Sequence, residues 1–216
     1  MASTDFYLRG LEYLEQFQKE PYSWLKEIKR VGIARKVPII DDDMGRFLKM
    51  LCALNKPASI LEIGCGISYA THWMLLGHPN ARITGLDYNQ DRLDICADFL
   101  KTSGFSGNVT LKRTWAKDFF QTQTSTFDLI FQDSTKKEYA GMLENCYQSL
   151  KPGGLLIVDN IFYNGKVMGL ADDQEKKYRK AVEALELFNQ QISNHEGFDC
   201  HFFAISDGVL VAQRKS

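Results

Sequence analysis

Two strand-like runs end in residues whose types and spacing could do chemistry. Asp133 follows Phe127 to Gln132, and Asp159 with Asn160 follows the apolar Leu155 to Val158. Two carboxylates and an amide oxygen, with no His or Cys among them, form a set of hard oxygen donors. Such a set suits Mg²⁺, Mn²⁺ or Ca²⁺, with water or substrate oxygens completing the shell. The three lie close together if their strands are neighbours in a parallel sheet, where ligands bind beyond the carboxyl ends. Lys136 stands three residues past Asp133. A cation beside it disfavours its ammonium form and brings its pKa toward that of a usable base. Helix capping by strand-end acids is the competing reading, and it leaves an Asp-Asn pair after an apolar strand unexplained. His72, His78, His195 and His201 show no ligand spacing.

A second constellation lies earlier. Ile60-Leu61-Glu62-Ile63-Gly64-Cys65-Gly66 is an apolar run that meets an acid and breaks into glycines, followed by Ser68, Tyr69 and Thr71. A strand running through a glycine turn into a helix brings backbone N–H groups close to a ligand. The next strand, Arg82 to Leu86, ends in Asp87, an acid able to accept two hydrogen bonds from a ribose diol. Gly64-x-Gly66 lacks the third glycine of the dinucleotide fingerprint, which speaks against a nicotinamide cofactor. Glu62 suits a positively charged ligand, and S-adenosylmethionine has both an ammonium and a sulfonium. On this stretch alone, structural glycines in an ordinary strand-turn-helix are an equal alternative.

The elements that must position these residues alternate along the chain. Residues 5 to 34 read as one or two helices: Tyr7, Leu11 and Leu14 share one face, Trp24, Ile28 and Val31 another, and Pro21 opens the second. Residues 1–36 are thus expected to form a helical cover on a single domain spanning 1–216. Asp41 to Asp43 precede a helix marked by Met44, Phe47, Leu48 and Leu51. Consecutive acids do not converge on one ion, so Asp42 or Asp43 is expected to cap that helix. Leu93, Cys96 and Leu100 mark a helix closed by Ser103-Gly104, and Asn108 to Arg113 is a short strand. Tyr139, Leu143, Tyr147 and Leu150 mark a helix closed by Lys151-Pro152-Gly153-Gly154. Strands alternating with helices in this way predict an α/β fold, a mostly parallel sheet with helices on both faces. A long helix through Tyr178, Leu185 and Ile192 follows. Phe198 to Ala204 and Val209 to Ala212, joined by Ser206-Asp207-Gly208, then predict a terminal antiparallel hairpin.

Phe127-Asp128-Leu129-Ile130-Phe131-Gln132-Asp133-Ser134-Thr135-Lys136-Lys137-Glu138-Tyr139 resembles the F-D-x-x-F-x-D-x-x-K-x-x-Y segment of cation-dependent O-methyltransferases, the catechol and caffeoyl-CoA type. Leu150 to Gly154, Val158-Asp159-Asn160 and Gly165-x-Val167 are similar to that family's second signature. The likeness runs from about Pro38 onward and includes Phe188-Asn189 and Asp207-Gly208. It implies a class I methyltransferase, Rossmann-like fold and methyl transfer from S-adenosylmethionine to a hydroxyl of a small catechol-like phenol. Carried over, Asp133, Asp159 and Asn160 match the metal ligands and Lys136 the base. Glu62, Gly64 and Gly66 match the methionine end of the cofactor site, Asp87 with Tyr88 the ribose region, and Trp115 and Ala116 the adenine region. Ile40 falls on the segment that closes over the methionine moiety. The family continues its glycine turn as G-Y-S, whereas this chain has Ser68-Tyr69-Ala70. Ser68 or Thr71 is therefore expected to hold the cofactor carboxylate. Phe162 and Tyr163, just past Asn160, are candidates to line the acceptor pocket.

Composition narrows the field further. The 216 residues are 44% hydrophobic with a formal net charge of −1, enough for one sizeable core. The near-neutral balance and absence of a basic tract argue against a nucleic-acid partner. Five scattered cysteines without C-x-x-C read as reduced thiols, and no apolar run approaches a membrane span. Met1 to Gly10 is polar and mixed, without a secretory apolar core. A cytoplasmic enzyme, possible as a homodimer, is the expectation. A non-catalytic S-adenosylmethionine-binding module and, less favoured, a nicotinamide-dependent dehydrogenase are the rival readings.

Overall fold

The computed structural model describes residues 4–18 and 22–216. Helices α1 (Thr4–Glu15), α2 (Ser23–Arg35) and α3 (Asp42–Asn55) lead into a seven-stranded sheet. Its strands are β1 (Ser59–Ile63), β2 (Arg82–Asp87), β3 (Val109–Arg113), β4 (Phe127–Gln132), β5 (Leu150–Asp159), β6 (Phe198–Phe203) and β7 (Val209–Arg214). Between them run α4 (Tyr69–Gly77), α5 (Gln90–Ser103), α6 (Ala116–Thr122), α7 (Tyr139–Ser149) and α8 (Asp172–Ser193). The expected helix start at Pro21 and the side chain of Tyr7 lie outside the described residues.

The strand order is β3-β2-β1-β4-β5-β7-β6. Every pairing from β3 to β5 is parallel, while β7 is antiparallel to both β5 and β6. The strand order changes sense between β1 and β4, so a crevice opens at the carboxyl ends of these two central strands. Neighbouring β4 and β5 bring Asp133 and Asp159 to the same edge of that crevice.

Both faces of the central strands β1, β4 and β5 are buried, which is why they read as apolar runs. Ile60, Leu129, Phe131, Leu155 and Ile157 face one core with α2, α3, α4 and α5. Their chain neighbours Leu61, Ile63, Ile130, Leu156 and Val158 face the other, with Phe119 of α6, Leu143 of α7 and Phe188 of α8. The two-residue period of the strands divides these side chains between the cores. No helix among the described residues is long and apolar enough to cross a membrane.

Three expectations change. Lys151 to Gly154 do not simply close α7; they begin β5, whose register against β4 shifts between Phe127 and Leu129. Pro152 and the glycines cannot continue the regular ladder, so the strand bulges there. The helix cap falls on Asp41, and no side-chain bond is made at that cap. Asp42 instead accepts from Lys29 Nζ at 2.8 Å and Tyr69 Oη at 2.7 Å, while Asp43 accepts from Arg46 at 3.1 Å. The three acids therefore have separate work, and nothing gathers them around an ion. Finally, the N-terminal cover is uneven. Leu25 and Ile28 of α2 are fully buried, whereas Tyr13 and Leu14 of α1 and nearby Phe17 are exposed.

Helices α3 and α4 pack closely enough that a Cβ on Gly77 would stand 2.2 Å from the Lys49 carbonyl oxygen. Backbone on both sides leaves no flexible group to yield. Gly77→Ala should therefore destabilise the fold by about 1–3 kcal/mol, the usual penalty of overpacking. Chemical denaturation against the parent protein measures it.

Candidate active site

The carboxyl ends of β1, β2, β4 and β5 border a cleft of about 680 Å³. Ile40, Gly64, Gly66, Asp87, Tyr88, Trp115, Ala116, Asp133, Lys136, Asp159 and Asn160 all line it. Eleven residues singled out in the sequence thus meet on one concave surface. Glu62 and Ser68 lie behind that surface and are fully buried.

The glycine turn is held by its neighbours' backbones. The amides of Gly64 and Cys65 both donate to the Leu86 carbonyl at 2.9 Å, which ties the turn to β2. Gly64 has φ +93°, and a Cβ there would lie 2.4 Å from the Asp133 carbonyl oxygen. Only glycine permits both the left-handed backbone and this approach of the β1 turn to the β4 turn.

Glu62 sits beneath the turn. Its Oε2 accepts from Thr71 Oγ1 at 2.6 Å, while its buried Oε1 has no partner. Burial pushes its pKa up to about 8; the Thr71 bond opposes that rise, and the charges of Asp133 and Asp87 add to it. A buried carboxyl with one orphan oxygen is the complement of a cationic group such as an ammonium. The hydroxyl of Ser68 donates to the Ile67 carbonyl, and that of Thr71 to Glu62. Neither expected substitute for the family serine has a free hydroxyl donor in this arrangement, because each is spent on its local neighbour.

Asp87 accepts from the Gly66 amide at 3.1 Å through Oδ2 and from the Asn89 amide at 2.8 Å through Oδ1. Each oxygen keeps a further lone pair for a hydroxyl. Arg92, one turn into α5, places its guanidinium 3.8 Å from Oδ2 and lines the cleft as well. Tyr88 and Trp115 stack with ring centroids 4.3 Å apart and planes within 4°, both well exposed. They form a flat aromatic wall near Ala116, the first residue of α6.

At the β4–β5 end, Lys136 Nζ donates to Asp133 Oδ1 at 2.9 Å and Asn160 Oδ1 at 2.6 Å. Two of the three oxygens read as metal ligands therefore converge on one cationic atom. The third residue, Asp159, is buried beside them and accepts from the Asn160 amide at 2.8 Å. Burial and then the Asp133 charge raise its pKa to about 8. Among the described residues no three His, Cys, Asp or Glu side chains gather as a metal cluster; the set here is two carboxylates and an amide. Such hard oxygens, already converging on a positive charge, fit a divalent cation.

Lys136 itself is poised differently from the sequence expectation. Burial works against its charge, but the Tyr139 hydroxyl and the Asp133 carboxylate more than offset this, so its pKa lies above the ordinary lysine range. As the side chains stand it is a firmly held ammonium, because it occupies the place among the oxygens that a cation would fill.

Tyr163 lines the cleft as expected, whereas Phe162 packs into the core on the α8 side. Arg92 and Asp207 are cleft residues to which the sequence reading gave no role. The signal for Arg92 was its position one turn after Asp87. Asp207 belonged to a pair noted only as a family likeness. Burial raises the Asp207 carboxyl above its usual range, opposed by the Asn164 amide, Lys136, Lys166 and Asn160.

The architecture is the class I methyltransferase fold. An SAH-bound methyltransferase from Podospora anserina superposes with a TM-score of 0.87 at 24% identity, covering 99% of this chain and 97% of that one. The O-methyltransferase from Bacillus cereus in complex with SAH gives 0.82 at 23% identity, covering 94% and 96%. A family model described as O-methyltransferase matches residues 15–215, and the chain belongs to that O-methyltransferase family. Among curated relatives, a catechol O-methyltransferase of Niastella koreensis is 26% identical over 165 residues, 74% of this chain and 72% of that protein. Caffeoyl-CoA O-methyltransferase 2 of Eucalyptus globulus is 25% identical over 211 residues, 93% of this chain and 85% of that protein.

The two raised carboxyls set a pH dependence for the metal-free, ligand-free protein. Glu62 and Asp159 keep their protons in the folded chain up to about pH 8. In the unfolded chain they ionise in the ordinary carboxylate range. Between these limits the folded state binds more protons, so stability falls as pH rises and levels off above about pH 8. The slope is at most about 1.4 kcal/mol per pH unit for each group. Denaturant titrations in chelator across that range should show it, flattened in Glu62→Gln and in Asp159→Asn. A pH-independent stability in the parent protein would contradict the assignment.

Proposed function

We propose that this enzyme transfers a methyl group from S-adenosylmethionine to one hydroxyl oxygen of a small phenol with two neighbouring oxygens, such as a catechol. The observation that carries the reading is the convergence of Asp133 Oδ1 and Asn160 Oδ1 on one cationic atom, on the wall of the cleft that the glycine turn also borders. The relatives named as catechol and caffeoyl-CoA O-methyltransferases support the acceptor class. A module that only binds the cofactor would have no use for Lys136 against those oxygens.

S-adenosylmethionine supplies the electrophilic methyl group. Glu62, with its orphan oxygen, receives the cofactor's ammonium beneath the Gly64–Gly66 turn, and Asp87 accepts from the ribose hydroxyls. The Tyr88–Trp115 wall and Ala116 flank the adenine, and Ile40 covers the methionine end. Asp133, Asp159 and Asn160 would hold a divalent cation, Mg²⁺ or the similar Mn²⁺ or Ca²⁺. When bound, such an ion supplies Lewis acidity toward the acceptor oxygens. With Asp133 and Asn160 engaged by such an ion, Lys136 would lose the acceptors that hold its proton and would release that proton to solvent. The neutral Lys136 amine would then accept the proton of the reacting hydroxyl. The acceptor oxygen bonds to the methyl carbon as the carbon–sulfur bond breaks, and sulfur keeps the electron pair. Tyr163 walls the acceptor side. Fixed positioning in a partly buried cleft provides much of the rate gain.

Turnover of a catechol should stop in EDTA and return with Mg²⁺ or Mn²⁺; undiminished turnover in chelator would remove the metal from the reading. The base is tested by its neighbour. Lys136→Ala should lower kcat by roughly 10²–10⁴, the range for loss of a general base, and high pH should partly restore it. Lys137→Ala, at an exposed position, should change little. A larger loss at Lys137 would move the base there.

The cofactor assignment is tested without turnover. Asp87→Ala removes acceptors for the ribose hydroxyls and should weaken S-adenosylmethionine binding by about tenfold or more, the worth of roughly 1.5–3 kcal/mol. Calorimetry showing unchanged affinity would place the ribose elsewhere.

A further inference from the structure

Ser68 ends the glycine turn in a conformation that its own residue type does not favour. It is the N-cap of α4, yet it has φ +73° and ψ +19°, and its side chain makes no cap bond. An N-cap residue ordinarily has extended backbone and offers a side-chain oxygen to the first helical amides. A residue other than glycine keeps a left-handed backbone only where its surroundings over-determine it. The family's G-Y-S pattern has glycine at this place, which needs no such support.

The support here comes from one side chain. His72, fully buried one turn into α4, places Nδ1 2.6 Å from the Ser68 carbonyl oxygen. Its backbone amide donates to the same oxygen at 3.0 Å. A carbonyl oxygen only accepts, so Nδ1 carries a proton and both lone pairs of that carbonyl are engaged. Burial pushes the ring's pKa down to about 4, which leaves Nε2 unprotonated at neutral pH and facing Ser103 Oγ at 2.8 Å. Trp24 of α2 and Phe105, just past α5, flank the imidazole with ring centroids 4.9 and 6.0 Å away. The ring is thus held from α2 and α5 while it holds Ser68.

Ser68 in turn bears on the cleft through a short series of backbone bonds. Its amide donates to the Cys65 carbonyl at 2.8 Å, which closes a turn over Gly66 and Ile67. The Cys65 amide donates to Leu86 at the end of β2. Gly66, inside that turn, lines the cleft and donates its amide to Asp87.

We propose that His72 is a positioning residue for the cofactor: its imidazole holds Ser68 in the left-handed conformation that gives the glycine turn its binding shape. The proposal rests on the S-adenosylmethionine reading of the cleft. His72 does not line that cleft; it acts through Ser68. Two consequences separate this role from mere filling of the core. The donor at the place of Nδ1 should matter more to binding than the ring does. A glycine at 68, which adopts positive φ without a steric penalty, should make that donor dispensable.

The experiment is calorimetric titration of the full chain with S-adenosylmethionine, with thermal unfolding measured alongside. Asparagine carries its amide nitrogen as many bonds from the backbone as Nδ1, whereas glutamine carries it as far out as Nε2. His72→Asn should therefore bind the cofactor within about twofold of the parent, and His72→Gln about three- to tenfold more weakly, the worth of one hydrogen bond. Both lose the ring contacts, so their unfolding temperatures should fall by similar amounts. His72→Leu should weaken binding as His72→Gln does; if it fails to fold, His72→Gln carries the comparison. Made in a Ser68→Gly background, and measured against Ser68→Gly alone, either substitution should lose most of its effect on affinity. Parent-like affinity in His72→Gln, or equal losses in His72→Asn and His72→Gln, would overturn the positioning role and leave the cofactor reading intact. So would a loss of affinity that persists in full beside Ser68→Gly. A parent protein with no affinity for S-adenosylmethionine would overturn the cofactor reading, and this proposal with it.

Discussion

The ammonium of Lys136, held between Asp133 and Asn160 with Asp159 buried alongside, is the interaction on which the active end of this protein depends. Acidic oxygens brought together in a partly dry cleft repel one another, and the arrangement is tolerable only with a positive charge in their midst. Even beside that ammonium, burial and the Asp133 charge keep the Asp159 proton to about pH 8. The same need for positive charge recurs at Glu62, where a buried oxygen has no partner at all. The cleft is thus lined by acidic groups, two of them uncharged until a cation arrives.

The scaffold meets this requirement by making the site out of strand ends rather than loops alone. Asp87, Asp133, Asp159 and the Gly64 turn are each fixed by ladder hydrogen bonds one or two residues away. Strands buried on both faces have little freedom to slip, since a one-residue shift would turn every core side chain to the wrong layer. The acids therefore cannot drift apart to relieve their repulsion. That rigidity keeps the pKa values displaced and the oxygens convergent.

The antiparallel end of the sheet has a second role. In a purely parallel sheet the loop after β5 would lead into open space. Here β7 runs back beside β5, so the β6–β7 turn arrives beside the loop after β5. Asp207 and Gly208 are thereby delivered against the residues following Asn160. On the other side of the cleft mouth, Ser206 donates to Asp41, which joins the turn to the segment holding Ile40. One turn thus contacts both the candidate metal loop and the segment that carries Ile40.

Much of this was legible in the chain because it is local. Apolar runs that end in acids, a glycine turn before a helix, and helices marked by regular spacing are written in neighbouring residues, and they specify the α/β alternation and most cleft residues. The exceptions were equally physical. Lys151 to Gly154 read as a helix terminator, and only pairing with β4 makes them the start of a strand. Ser68 and Thr71 looked available, and only the folded turn shows their hydroxyls donating to Ile67 and Glu62. Asp207 carries no local mark of its part, because the Asn164 amide it accepts from is more than forty residues away. The sequence by itself determined which groups exist and at which strand ends they stand. The tertiary structure alone decided their charge states, their orientations and their neighbours, because burial, repulsion and hydrogen-bond pairing depend on distances through space that chain spacing does not encode.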